Sequence, residues 1–330
     1  MGSIDSTMTF ALLPEILLLI VAGLVLVFDL IWSDDRKRSL GWLTAGGLMV
    51  TLVVSLLFAR PPDEAVLVWG SMLRYDWLGF VFKMLFIFGA AITALFAMDV
   101  KELGARGEFY ILMLVSTIGM GLMAASADLI MLYLAIETTS IPLYILAGFF
   151  KPDEKSTESG FKYLLFGAMT SALLVYGFSL LFGYSGTTSI YGLAGAIQAG
   201  LIAPAPLIGS VLLILVGFSF KVSAVPIHFW APDVYEGAPT PVAGFLSTAS
   251  KAAGFAVLIR FFMVALPSMS TDWGLLIAII SVATMTIGNF LAISQSNIKR
   301  MLAYSSIAHA GYILVGVATV SEFGMVSVVF

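Results

Sequence analysis

The sequence contains no cysteine. Thiolate-held iron–sulfur clusters and thiolate zinc sites are therefore excluded. Histidine is scarce as well: only His228 and His309 occur. A haem held by two histidines would need both, and they lie in very different contexts. We therefore expect no metal and no redox cofactor in this polypeptide. Charge is also sparse, at 11% of 330 residues, against about 25% in soluble domains. There is no long basic or acidic run and the net charge is -4, so nucleic-acid binding has no electrostatic footprint here.

What the chain has instead is apolar surface. Its residues are 60% hydrophobic and its mean hydropathy is +1.04, which places it among membrane proteins. A bilayer core needs about 20 apolar residues per helix. The apolar runs predict spans near 8–32, 39–59, 78–98, 109–126, 129–150, 160–183, 206–226, 241–265, 273–293 and 303–320. A further one begins near Gly324. The first run is too long for a signal-peptide core and has no basic stretch before it. Segment 184–205 is Gly-rich and carries Thr187, Thr188, Ser189 and Gln198, and it reads as a short interfacial helix on the outside. The sequence stops at Phe330 inside an apolar run, so we expect a truncated piece of a longer protein. No repeat is visible by eye, and no low-complexity linker separates domains.

Lysine and arginine sort the loops. Arg36, Lys37, Arg38, Lys101, Arg106, Lys151, Lys155, Lys299 and Arg300 fall on one side, and only Arg60 and Arg74 on the other. Cytoplasmic loops carry the basic excess, so the N-terminus is expected outside. An even number of spans must then separate the loop at 33–38 from the loop at 294–300.

Four ionisable residues stand within or close to the apolar spans: Glu137, Lys162, Lys221 and Lys251. A charge at a helix centre costs about 2.5–3.5 kcal/mol on insertion scales and persists where it meets a partner or a wet cavity. Glu137 is mid-span and too short to reach either interface easily. Lys251 follows a run of hydroxyl-bearing residues, in Ser247-Thr248-Ala249-Ser250-Lys251. Lys221 precedes Pro226, which breaks a helix, and broken helices at membrane depth line cavities. Lys162 sits under one turn into its predicted span, where reaching back to the inner surface is an equal reading. His228 and His309 have the chemistry of proton carriers near neutral pH, or of plain hydrogen-bonded histidines. Lys83, Asp29 and Arg260 lie nearer span ends, where the two cations are expected to snorkel. Gly119-Met120-Gly121-Leu122-Met123-Ala124 fits a dinucleotide-loop pattern, but no strand precedes it, so it reads as close helix packing. Buried carboxylate with buried lysines is the chemistry of a proton relay.

The run Phe220-Lys221-Val222-Ser223-Ala224-Val225-Pro226-Ile227-His228-Phe229-Trp230-Ala231-Pro232-Asp233-Val234-Tyr235-Glu236-Gly237-Ala238-Pro239-Thr240-Pro241 resembles the loop signature of the N-subunit family of NADH-quinone oxidoreductase, respiratory complex I. Ser250-Lys251, the Glu137 helix, and Lys299-Arg300-Met301-Leu302-Ala303-Tyr304-Ser305-Ser306-Ile307-Ala308-His309 match as well. The resemblance covers essentially the whole chain, and its most specific part is Asp233 to Pro241. It implies an all-α polytopic membrane protein, an antiporter-like bundle with inverted five-helix repeats and broken helices. Residues 1–108 would form three N-terminal transmembrane helices, 109–265 the first repeat and 266–330 the start of a second repeat, cut short. The broken-helix lysine of that second repeat would lie beyond Phe330.

Residue by residue, the resemblance implies that Glu137 is the helix-5 carboxylate, Lys162 the helix-6 lysine, Lys221 the broken-helix lysine and Lys251 the lysine of the next helix. His228 and His309 match positions linking one site to the next. The implied activity is proton translocation coupled to quinone reduction in other subunits, in a bacterial inner membrane. NADH, FMN, iron–sulfur clusters and quinone would belong to partner subunits, and the partners would be other membrane subunits of complex I and lipid. The alternative is a subunit of a multisubunit Na⁺/H⁺ antiporter without redox coupling. A scaffold that only binds neighbours has no need of such costly charges.

Overall fold

The computed structural model describes residues 6–329; Phe330, where the sequence stops, lies outside them. Ten helices among the described residues are long and apolar enough to cross a membrane. A short α1 (Ser6–Ala11) leads into α2 (Leu13–Ile31), which carries Pro14 in its first turn, where proline is tolerated. Then come α3 (Ser39–Phe58), α4 (Trp77–Met98), α5 (Gly107–Ala125), α6 (Leu129–Ala147) and α7 (Glu154–Ser185). A short α8 (Ile190–Gln198) falls in the segment read as interfacial. After it come α9 (Pro204–Val222), α10 (Trp230–Gly237), α11 (Thr240–Phe245), a π turn (Leu246–Ser250) and α12 (Lys251–Ala265). The last helices are α13 (Ser270–Ile293), α14 (Ile298–Ala318) and α15 (Glu322–Val329).

Polar residues fix several of the starts. Asp76 caps α4 by accepting from the Gly79 N–H at 2.9 Å. Asp128 caps α6, Asp153 caps α7 and Asn297 caps α14, each satisfying donors that a helix start leaves free. Eight spans separate the loop at 33–38 from the loop at 294–297, an even number. Those two loops therefore share a face with 99–106 and 148–153, called here the basic face. The opposite face carries α8 and a two-stranded antiparallel hairpin, β1 (Val66–Val68) with β2 (Leu73–Tyr75). The hairpin is an addition to the helical pattern. Its strands are too short to show a period, and their loop needs positive φ at Trp69, Gly70 and Ser71.

The helices pack closely where glycine leaves room. A Cβ on Gly119 would lie 2.6 Å from the Thr139 backbone nitrogen, so α5 touches the backbone of α6. This is the packing role expected of the Gly119–Ala124 pattern. The start of α7 differs from expectation. Its apolar run begins near 160, but the helix begins at Glu154, because Asp153 caps it and the polar turn continues the same helix. Lys162 therefore sits two turns into α7, not under one.

Candidate functional site

Glu137 lies in the middle of α6, five residues before Pro142. Proline has no N–H to give the Thr138 carbonyl, so the helix ladder is open beside Glu137. Glu137 Oε1 accepts a short hydrogen bond from Ser171 Oγ of α7. One turn further on, Ser140 Oγ accepts from Lys221 Nζ. Lys221 is in the last turn of α9 and is buried. The C-terminal end of a helix favours a cation there. Glu137, Ser140, Tyr144, Ser171 and Lys221 line one cavity of about 10 Å³, which has room for a single water. No direct ion pair within 4.0 Å joins Glu137 to Lys221; the water-sized cavity stands between them.

Helix α9 ends at Ser223, whose φ is 58°. The stretch 223–229 is not helical and contains the cis Val225–Pro226 bond. The chain resumes as α10. This is the break that Pro226 predicts. The Val225 N–H is satisfied from outside the segment, by Thr284 Oγ1 at 3.0 Å.

Lys251 follows the π turn directly and is buried. Its Nζ donates to the Ser306 carbonyl at 2.9 Å and to Ser306 Oγ at 2.6 Å, and lies 5.8 Å from the Tyr235 ring centroid. The two lysine-bearing helices touch, since a Cβ on Gly254 would lie 3.1 Å from Lys221 Cβ. Aromatic rings fill the space around the contact. Tyr163 stacks on Trp230 at 4.6 Å, and Tyr144 meets Tyr163 edge-on at 4.7 Å.

The other candidates lie elsewhere. Lys162 points to the basic face, where its Nζ is 2.7 Å from Glu158 and 2.6 Å from Asp233. Arg300 joins the same cluster, 2.5 Å from Asp233 and 3.1 Å from Glu236. Lys155 completes it, 2.8 Å from Glu236. His228 is half-buried in the unwound stretch, its ring 5.2 Å from Phe229. His309 is on an exposed side of α14 and lines a cleft of about 460 Å³ with Tyr235, Ser306 and Lys299. Neither histidine enters the Glu137–Lys221 cavity.

Two cations correct the snorkelling expectation. Lys83 is buried and pairs with Glu15 at 2.8 Å. Arg260 is 3% exposed, grips Asp76 with two nitrogens at 2.7 and 2.8 Å, and donates to the Ala124 carbonyl at 2.8 Å. Each found a carboxylate contributed by a distant segment, which position within one span does not reveal. Ser140, Ser171 and Ser306 were also missed. A serine in an apolar helix reads as packing unless the facing helix is known.

A family described as NADH:quinone oxidoreductase/Mrp antiporter, TM, matches residues 126–330. The chain belongs to that family. It is a multi-pass membrane protein. It is 41% identical to NADH-quinone oxidoreductase subunit N 2 of Chloroherpeton thalassium, over 97% of this chain and 64% of that one. It is 44% identical to NADH-quinone oxidoreductase subunit N of Moorella thermoacetica, over 93% of this chain and 64% of that one. The chain thus spans just under two thirds of the length of these curated relatives. Among solved structures, respiratory complex I from Thermus thermophilus contains a chain similar to it, with a TM-score of 0.77 and 31% identity over 94% of this chain and 66% of that one. The Mrp complex from a Dietzia species superimposes with a TM-score of 0.80 at 23% identity, over 96% of this chain and 35% of that one; this shows a shared antiporter-like fold alone.

Proposed function

We propose that the chain serves as a proton-translocating membrane subunit of a respiratory NADH-quinone oxidoreductase, with Glu137, Lys221 and Lys251 as the core of the relay. The observation that carries this is the cavity at Glu137: a carboxylate and an ammonium face one water-sized space through hydroxyls, in an apolar bundle. Protonating Glu137 removes the counter-charge of Lys221, lowers the affinity of Lys221 for its proton and favours its release. The neighbouring Lys251, held by Ser306, is the next acceptor. Lys162 is assigned to the basic-face mouth, in the Asp233–Glu236 cluster. His228 and His309 are assigned to links on either side. Residues 1–108 form the N-terminal helices, 109–265 the first antiporter-like repeat and 266–330 the start of the second. The basic loops face the cytoplasm of a bacterial cell, which puts the N-terminus outside.

The names of the relatives and the Asp233–Pro241 string support this reading over a Na⁺/H⁺ antiporter subunit. In it, quinone, NADH, FMN and iron–sulfur clusters belong to partner subunits, and this chain supplies translocase residues and no redox centre. Purification of the tagged full-length protein in mild detergent tests the assignment. Recovery with a flavin- and iron–sulfur-bearing peripheral arm supports it. Recovery with small antiporter subunits alone overturns it in favour of the antiporter.

A further inference from the structure

A second buried carboxylate–ammonium pair stands apart from the Glu137 cavity. Glu15 lies in the first turn of α2, and Lys83 lies nearly two turns into α4. They meet at 2.8 Å with each side chain 7% exposed. Lys83 also donates to the Ala11 carbonyl at the end of α1, at 2.9 Å. The pair occupies a notch in α5, because a Cβ on Gly121 would lie 2.5 Å from Glu15 Oε1. A buried ion pair is on average no more stabilising than apolar residues of the same volume, so its presence calls for a reason.

Two observations supply one. Glu15 Oε2 is buried and has no hydrogen-bond partner among the described residues, although buried polar atoms are satisfied in most cases. A carboxylate oxygen without a donor is free to accept a proton. Against Lys83 lies a separate cavity of about 10 Å³, lined also by Pro14, Arg74, Tyr75 and Asp76, with room for one water. Arg74 is 30% exposed at the hairpin face, so the cavity lies one side chain from the surface.

We infer that Glu15 and Lys83 form a second proton-binding pair, filled and emptied from the hairpin face. The inference rests on the proton-translocating reading of the chain. A proton arriving through the cavity bonds to Glu15 Oε2. Lys83 then loses its counter-charge and releases one proton from Nζ to the cavity water. On uptake the pair passes from Glu⁻/Lys⁺ to GluH/Lys⁺, one proton richer and favoured as the pH falls, and it reaches GluH/Lys⁰ once Nζ has released a proton. Asp76, Arg74 and Tyr75 face the cavity from the hairpin, and Arg260 of α12 holds Asp76. Helix α5 brings Gly121 against Glu15 and Ala125 to the cavity, neither of which titrates.

Infrared difference spectra of the assembled complex in sealed vesicles, taken on stepping the pH at the hairpin face, test this. A protonated-carboxyl C=O band is expected in the parent protein. It should persist in Glu137→Gln and vanish in Glu15→Gln. The double variant Glu15→Leu/Lys83→Met replaces the pair by apolar volume and guards against simple misfolding. It should assemble, keep electron transfer and show no such band. A band unaffected by Glu15→Gln, or one that persists in the double variant, overturns the inference. A Glu15 band in a complex that moves no redox-coupled protons overturns the proposed function instead and leaves the pair standing as a proton site.

Discussion

At Lys221 and Lys251 the nearest partner is a serine hydroxyl, not a carboxylate. A hydroxyl both donates and accepts, so it holds an ammonium without locking the proton on it. The counter-charge for Lys221 is Glu137 across the cavity, one turn from Ser140. We therefore predict that Glu137→Gln and Lys221→Ala each abolish coupled proton transport, read as loss of dye quenching in sealed vesicles, while native gels show an intact complex. Normal transport in both variants removes these residues from the relay. Lys162 belongs to a different class of site. Its side chain is 34% exposed and shares Asp233 with Arg300, and exposed pairs contribute only about 0–1 kcal/mol. Lys162→Ala should leave the melting temperature of the purified protein nearly unchanged and slow proton transport less than Lys221→Ala does. Loss of transport equal to that of Lys221→Ala would place Lys162 in the buried core of the relay.

The elements that carry Glu137, Lys221 and Lys251 are irregular, and the irregularity sits beside the charge in each. Helix α6 has Pro142, α9 stops before Pro226, and Lys251 follows a π turn. Such defects leave backbone groups and space that a regular helix would close. Close glycine packing holds these helices in place around them. Gly119→Val should therefore be costly. Its side chain meets the Thr139 backbone, which has no slack, and overpacking costs about 1–3 kcal/mol. Gly23→Ala is the control, since nothing lies within 4 Å of a Cβ there. Thermal unfolding in detergent should show a clear drop for the first and no drop for the second. The spans, the break at Pro226 and the packing role of Gly119 were legible because each is written in a local run of residues. The π turn was not, because Leu246–Ser250 has no residue that demands it. The partners of Lys83 and Arg260 were not legible either. Glu15 follows Pro14 in a first turn, where an acidic residue suits the helix dipole. Asp76 reads as an ordinary cap, and nothing near it in sequence points 184 residues ahead.

Across the whole molecule, the Asp76–Arg260 contact joins the N-terminal helices to the helix that carries Lys251. Arg260 draws together α12, the cap of α4 and the last turn of α5, and Arg74 reaches Asp76 from the hairpin at 3.2 Å. Burial works to raise the Asp76 carboxyl. The hydrogen bonds and charge of Arg260, the Gly79 N–H and Arg74 outweigh it and hold the carboxyl below its ordinary range. A carboxyl whose affinity for protons is lower in the folded than in the unfolded state adds stability above its unfolded pKa, which is about 3.9. That contribution fades as the pH falls through the lower folded value. Melting temperatures of the parent protein should therefore decline as the pH is taken from neutral to below about 4, beyond the decline common to its other carboxylates. Asp76→Asn leaves Arg260 buried without its counter-charge. Its melting temperature should be lower at neutral pH, and the gap to the parent should narrow in acid. A gap that stays constant through the acid range would mean that the joint owes its strength to packing around Arg260 and not to the Asp76 charge.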